Sequence, residues 1–336
     1  MSGENLGTVL LTDRAWPDDT VERAVLDPAG ITLVTGSVEA PPAPVIESLA
    51  ARHRPDAILT CWAPVSAAAI AASPALRVVA RMGVGLDNID VAAATERGVL
   101  VTNVPDYCVE EVSDHAVALV LAWTRGIALA DRQVRAGRWD PAGVRLRRLS
   151  ALTCGVIGYG RIGRRTAGKI AALGARVLAC DPHPPATTTT GAGEVTFVAL
   201  EELLARSDAV IVHAPLTPAT RHLLGTRELA LMPPGSLLVN VSRGGLVDTT
   251  ALAGALASGR LSGAGLDVIE GEPAVPPELL AHPGVVVTPH IAFSSDASVL
   301  DLRRSAAEEV VRVLSGQAPR YPCNVPQGTA DHGGRR

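Results

Sequence analysis

Short β-branched runs alternate with alanine-rich segments along almost the whole of this chain, and that alternation leaves few folds open. In the first hundred residues the runs 8–13, 31–35, 57–62, 77–82 and 99–104 read as buried strands, with helices over 40–52, 65–72 and 91–97 between them. Strands spaced by helices pair in parallel through right-handed crossovers. Aromatic residues make up only 3% of the sequence, so core volume must come from Ala, Val, Leu and Ile. Such side chains suit parallel strands covered by helices on both faces.

From 109 to 137 the period changes to that of one long helix. Glu110 and Glu111 stand where a helix dipole favours acids, and Val112, Ala116, Leu119, Val120, Trp123 and Ile127 recur at three and four. Both faces are apolar in its first half, which predicts burial against another domain or subunit. The irregular, basic stretch 140–149 reads as a loop. Alternation then restarts, with strands over 154–157, 176–180, 209–213, 236–240, 263–267 and 285–288. Helices fall over 162–173, 200–205, 226–231, 249–258 and 295–314. A length of 336 residues suits two domains with cores of their own. The tail 324–336 has nothing to bury and reads as disordered.

The sharpest local signal is Gly158-Tyr159-Gly160-Arg161-Ile162-Gly163, with a strand before it and a helix after it. Gly158 permits a tight turn, Gly160 lets the backbone approach a pyrophosphate, and Gly163 lets the helix pack on the strand. The helix N-terminus offers N–H groups and partial positive charge to the phosphates. The next strand delivers Asp181, whose carboxylate can accept from ribose hydroxyls and would repel a 2′-phosphate. The cofactor expected is therefore NAD rather than NADP.

Three further segments end predicted strands, where open α/β sheets place ligands. They are Asn240-Val241-Ser242-Arg243-Gly244-Gly245, the run 265–273 containing Asp267, Glu270 and Glu272, and Val287-Thr288-Pro289-His290. Each alone suits an ordinary loop. Together they supply what reduction of an oxo acid requires. Arginine offers a planar, permanent cation to carboxylate and carbonyl. Histidine can give or take a proton near neutral pH, and a paired carboxylate favours its charged form.

Net charge is −4 with no concentration of Lys and Arg, which argues against a nucleic-acid or anionic-membrane partner. Five cysteines without a C-x-x-C pair suggest a reducing compartment and no metal site. No basic, apolar leader opens the chain, and no run of about 18 uninterrupted apolar residues occurs. The expected location is the cytoplasm.

These motifs, with Gly83-Val84-Gly85-Leu86-Asp87-Asn88-Ile89-Asp90, resemble the D-isomer-specific 2-hydroxyacid dehydrogenases over roughly residues 50–323. The segments 103–115 and 289–294 are most similar to that family's C-terminal-binding-protein-like branch. The resemblance implies an α/β chain of two similar Rossmann/flavodoxin-like domains with parallel sheets and the active site in the interdomain cleft. The substrate-binding domain would be 1–103 plus 291–323, and the NAD-binding domain 104–290. Arg243 would bind the substrate carboxylate, His290 would be the acid/base, and Glu272 its partner. Amides of Gly83, Val84 and Gly85 would receive the carboxylate. Asp267 would bond the nicotinamide carboxamide, His213, Ala214 and Pro215 would line the adenine side, and Ser113 would lie near the phosphates. Asp114 and His115 read as helix-interior packing or interdomain hydrogen bonding. A homodimer acting on a small 2-oxo or 2-hydroxy acid is implied. Two other readings stay open: an NAD(H)-sensing regulatory protein, and a dehydrogenase for a phosphonate-bearing oxo acid.

Overall fold

The first sheet is built from β1 (Gly7–Asp13), β2 (Ile31–Ser37), β3 (Ala57–Thr60), β4 (Val78–Arg81) and β5 (Leu100–Thr102). All pair in parallel in the order β2-β1-β3-β4-β5. The computed structural model describes residues 6–184, 189–190 and 193–326. The chain divides into two units, Met1–Tyr107 with Ser295–Arg336, and Cys108–Ser294.

Alternation along the strands sends side chains to opposite faces of the first unit's sheet. Val9, Leu11, Leu59 and Val78 face one way and pack with Leu302, Ala306, Val310 and Val313 of the C-terminal helix Asp296–Leu314. Leu10, Ile58, Val79 and Val101 face the other way, against Ile46, Ala50, Ile70 and Ala94. The last four come from α2 (Ala43–His53), α3 (Ala67–Ala72) and α4 (Val91–Glu96). Side-chain caps start two of these helices: Ser66 accepts from the Ala69 N–H, and Asp90 from that of Ala93.

One helix of this unit, α1 (Thr20–Leu26), has no counterpart in the sequence pattern. Its inward face is held by charge as well as by Leu26. Glu22, wholly buried, accepts two bonds from Arg303, at 2.9 and 2.7 Å, and the guanidinium lies over the Trp16 ring.

The second unit opens with α5 (Val109–Thr124) and α6 (Ile127–Arg135), where the sequence predicts a single helix. Gly126 separates them at φ 61°, a conformation that ends a right-handed helix; a Cβ there would also meet Val144. The apolar half of α5 packs within its own unit, on α7 (Arg161–Ala172) and on β11 (Ser236–Asn240) and β12 (Leu261–Leu266).

The remaining strands of this unit are β6 (Thr153–Ile157), β7 (Arg176–Cys180), β8 (Thr189–Thr190), β9 (Gly193–Phe197), β10 (Ala209–Val212) and β13 (Val285–Val287). The sheet runs β13-β12-β11-β10-β6-β7-β9-β8, parallel except for the short β8–β9 pair. The sequence pattern missed β9. Order reverses between β6 and β10, the switch point outside which such sheets bind ligands.

Asn324, expected in a loose tail, accepts from the Val101 N–H and donates to Val99. Its short amide fastens the chain to β5, which corrects that expectation for 324–326; residues 327–336 lie outside those described. Among the described residues no single helix is long and apolar enough to cross a membrane.

Replacing Glu22 by Ala removes two bonds from a buried guanidinium that retains Asp18, and should cost up to roughly 3–5 kcal/mol, read as a lower urea midpoint. An unchanged midpoint would show that the pair contributes nothing net.

Candidate active site

At the carboxyl end of β6 the chain turns through Gly158 at φ 88°. A Cβ there would lie 2.7 Å from the Ala214 backbone N, so only glycine lets this turn lie against the end of β10. Gly163 sits on the Gly158 carbonyl, and the position of a Cβ on Gly160 opens into free space. Gly160 caps α7, whose first turn holds Arg161, Ile162 and Gly163. Tyr159 is buried edge-on to the Phe197 ring. Asp181 closes the turn: its Oδ2 accepts from the Tyr159 N–H at 2.6 Å and its Oδ1 from the His183 N–H at 2.8 Å. An open glycine, a helix N-terminus and a carboxylate at the end of β7 fit a dinucleotide.

Across the switch point, His213 donates its backbone N–H to Ile157, Ala214 accepts from the Ser242 hydroxyl, and Pro215 accepts from Thr220. The ring of His213 is enclosed; its Nε2 meets neither solvent nor a hydrogen-bond partner among the described residues. Burial pushes its pKa down to about 4.

The turn after β11 carries Arg243. The buried Asn240 amide shapes it, accepting from Ser242 N–H and donating to the Arg243 carbonyl. Gly244 lies so close to the Ile269 backbone that a Cβ would be 2.1 Å away. This contact sets the arginine turn beside the loop bearing Glu272. Glu272 Oε1 accepts from His290 Nδ1 at 2.7 Å, while Oε2 accepts from the Ile269 N–H. Burial would raise the Glu272 carboxyl. The His290 hydrogen bond and charge, the Ile269 amide and the Arg243 charge outweigh it and hold the group below its usual range. With Nδ1–H given to the carboxylate, Nε2 is the imidazole atom left for proton transfer.

His290 has φ 55°, a left-handed conformation uncommon outside glycine. Its backbone N–H donates to the carbonyls of Asp267 and Thr288. The Asp267 side chain, almost fully buried, accepts from the N–H groups of Ile291 and Ala292 at 2.9 and 2.8 Å.

The structure thus brings Arg243, Glu272, His290 and Asp267 together, and Gly158–Gly163 with Asp181, His213 and Ala214. Gly83, Val84 and Gly85 belong to the first unit, at the end of β4, where Val104 N–H and the Asn103 amide hold the carbonyls of Gly83 and Val84. Ser113 is wholly buried, and its hydroxyl is taken by Lys169 and the Glu110 carbonyl. Lys169 lies eight residues into α7, about 12 Å along the axis from the glycine turn at its N-terminus. In this structure that hydroxyl is committed to α5 and α7.

Sequence reasoning missed two groups. Arg221 and His222 both bond Glu270, at 3.1 and 2.8 Å, tying the 217–224 loop to the Glu272 loop. His115, read as helix-interior packing or interdomain hydrogen bonding, meets Thr288 Oγ1 at 3.0 Å. Neither pairing leaves a trace in local spacing.

Residues 117–292 match the family model described as "D-isomer specific 2-hydroxyacid dehydrogenase, NAD binding domain". The chain is 40% identical over 262 residues to the glyoxylate reductase of Korarchaeum cryptofilum, covering 76% of this chain and 78% of that one. It belongs to the D-isomer specific 2-hydroxyacid dehydrogenase family. Within this family it is also 42% identical, over 284 residues, to D-3-phosphoglycerate dehydrogenase of Mycobacterium leprae, covering 84% of this chain and 54% of that one. The chain spans about half the length of the phosphoglycerate dehydrogenases it matches. The TT0316 protein of Thermus thermophilus superposes with a TM-score of 0.85 at 33% identity, over 94% of this chain and all of that one. The phosphoglycerate dehydrogenase and the glyoxylate reductase named above are not C-terminal-binding proteins, so the branch suggested by segments 103–115 and 289–294 finds no support in them.

His213 gives a pH test. Unfolded, it titrates near 6.5; folded, near 4, so the unfolded chain binds the extra proton between these values. Stability from this group is complete above pH 6.5 and falls as pH is lowered toward 4. Thermal melts should show that slope in the wild type and a shallower one in His213→Asn.

Proposed function

We propose that this chain is an NAD-dependent D-2-hydroxyacid dehydrogenase working as a 2-oxoacid reductase or in reverse. The observation that carries the reading is the 2.7 Å Glu272–His290 pair, held beside the Arg243 turn at the carboxyl end of a sheet with a dinucleotide-type glycine turn. Gly158–Gly163 and Asp181 would hold the dinucleotide, whose nicotinamide would supply the hydride for C2 or accept one from it. Arg243 holds the substrate carboxylate and draws electron density from the C2 carbonyl. His290 Nε2 gives its proton to the C2 oxygen during reduction and recovers one during oxidation. Glu272 fixes the ring through Nδ1 and balances the charge of the protonated imidazole.

The Cys108–Ser294 unit is the nucleotide side, and we assign substrate recognition to the unit that contains Gly83–Gly85. Asp181 favours NAD over NADP. We take the substrate to be a small 2-oxo or 2-hydroxy acid, as the names of the phosphoglycerate dehydrogenase and glyoxylate reductase relatives suggest. A homodimer is supported by the exposed Ile127 and Val134 of α6, and a cytoplasmic setting by five free thiols.

A screen of 2-oxo acids with NADH, including 3-phosphohydroxypyruvate, glyoxylate, aryl and phosphonate-bearing acids, should find turnover. Tight NADH binding without turnover on any acid would favour a sensor instead. His290→Ala should lower kcat by about 10²–10⁴-fold with NADH affinity nearly intact; full turnover would remove His290 from the chemistry. Asp181→Ala should raise KM for NADH and narrow the gap to NADPH, and a wild type that already prefers NADPH refutes the role given to Asp181.

A further inference from the structure

We infer that His115 and Thr288 are positioning residues for His290, acting through the carboxylate of Asp267; the inference rests on the reading of His290 as the acid/base.

The argument is one of donors and acceptors. Asp267 accepts two backbone N–H groups and, at Oδ1, the Thr288 hydroxyl at 2.5 Å. A threonine hydroxyl has one proton, and here Asp267 receives it. The 3.0 Å contact between Thr288 Oγ1 and His115 Nε2 must then run the other way, with Nε2–H as donor. A directed chain results, from His115 Nε2–H to Thr288 Oγ1–H to Asp267 Oδ1. The same imidazole nitrogen lies 3.8 Å from Asp267 Oδ1, so a charged His115 would also act on the carboxylate directly.

At its other end the chain sets the backbone beneath His290. Asp267 grips Ile291 and Ala292, the two residues that follow His290, while its own carbonyl takes the His290 N–H. A left-handed conformation at a non-glycine residue costs on the order of 1–3 kcal/mol and persists only where its surroundings over-determine it. Here the residues on both sides are bonded to a single carboxylate or to its backbone. If the Asp267 carboxylate swings, the turn at 290 relaxes, and the imidazole leaves the line between Glu272 and the substrate oxygen. Thr288 and His115 hold that carboxylate in one rotamer, and His115 brings α5 into the alignment.

The test uses Thr288→Val, which keeps shape and removes the hydroxyl, beside Thr288→Ser, which keeps the hydroxyl. His115→Leu, His115→Gln and the Thr288→Val/His115→Leu double variant complete the set. For each we would measure kcat and KM on an oxo acid the wild type reduces, NADH affinity by fluorescence, and Tm. A misplacement of about 1 Å can cost about a hundredfold in rate. Thr288→Val should therefore lose about 10–100-fold in kcat, with NADH affinity within about twofold and Thr288→Ser within about threefold of wild type. The double variant should be no slower than Thr288→Val, because both substitutions break one chain. If Thr288→Val does not fold, the His115 pair carries the test, with glutamine above leucine in kcat at equal NADH affinity.

Unimpaired kcat in Thr288→Val, equal damage in Thr288→Ser, or additive losses in the double variant would overturn the positioning role alone. A wild type that binds NADH and reduces no oxo acid would overturn the reading of His290, and this inference with it.

Discussion

A carboxylate removed from water must find its donors in the protein, and the turn that bears His290 exists because Asp267 finds them there. Two backbone N–H groups and one hydroxyl converge on a side chain at the end of β12. In doing so they reverse the chain just past β13. The desolvation cost of one acid is thus offset by the same bonds that fix the loop bearing His290. That economy couples local stability to geometry: loosening the turn and unsatisfying Asp267 are one event.

The second constraint is steric. Arg243 and Glu272 come from different strand ends, and long side chains could bridge many separations between such loops. Their backbones instead touch, because residue 244 has no side chain where Ile269 passes. Preorganisation at this point is a property of main chain, which moves less than side chains do. The Arg243 turn and the loop bearing Glu272 are therefore held side by side by main chain rather than by side-chain reach.

Much of this was legible in the sequence. Continuous apolar, β-branched runs between alanine-rich helices pointed to parallel sheets, because burial on two faces leaves an uninterrupted apolar stretch at β3, β6 and β10. The glycine turn was readable because its chemistry is local, each glycine doing its task within six residues. What stayed hidden depends on distant partners. Helix α1 turns inward on a charge pair whose members are 281 residues apart, so no window shows why Glu22 is buried. His115 and Thr288 are separated by 173 residues, and a histidine inside an apolar helix looks the same whether it packs or aligns a loop. The break at Gly126 was within reach: a glycine amid an otherwise continuous helical period is a known stop signal.

The C-terminal helix has a consequence for the order in which the protein can be completed. Its Leu302, Ala306, Val310 and Val313 complete one face of the first sheet, although that sheet's strands all lie before residue 103. During synthesis the five strands emerge early, with one apolar side uncovered, and wait for the ribosome to deliver some two hundred further residues. The second unit, contiguous from Cys108 to Ser294, has all its parts before then. The amino-terminal third of this polypeptide is thus the last to mature, and an early stop before Leu302 would expose a sheet completed some two hundred codons earlier.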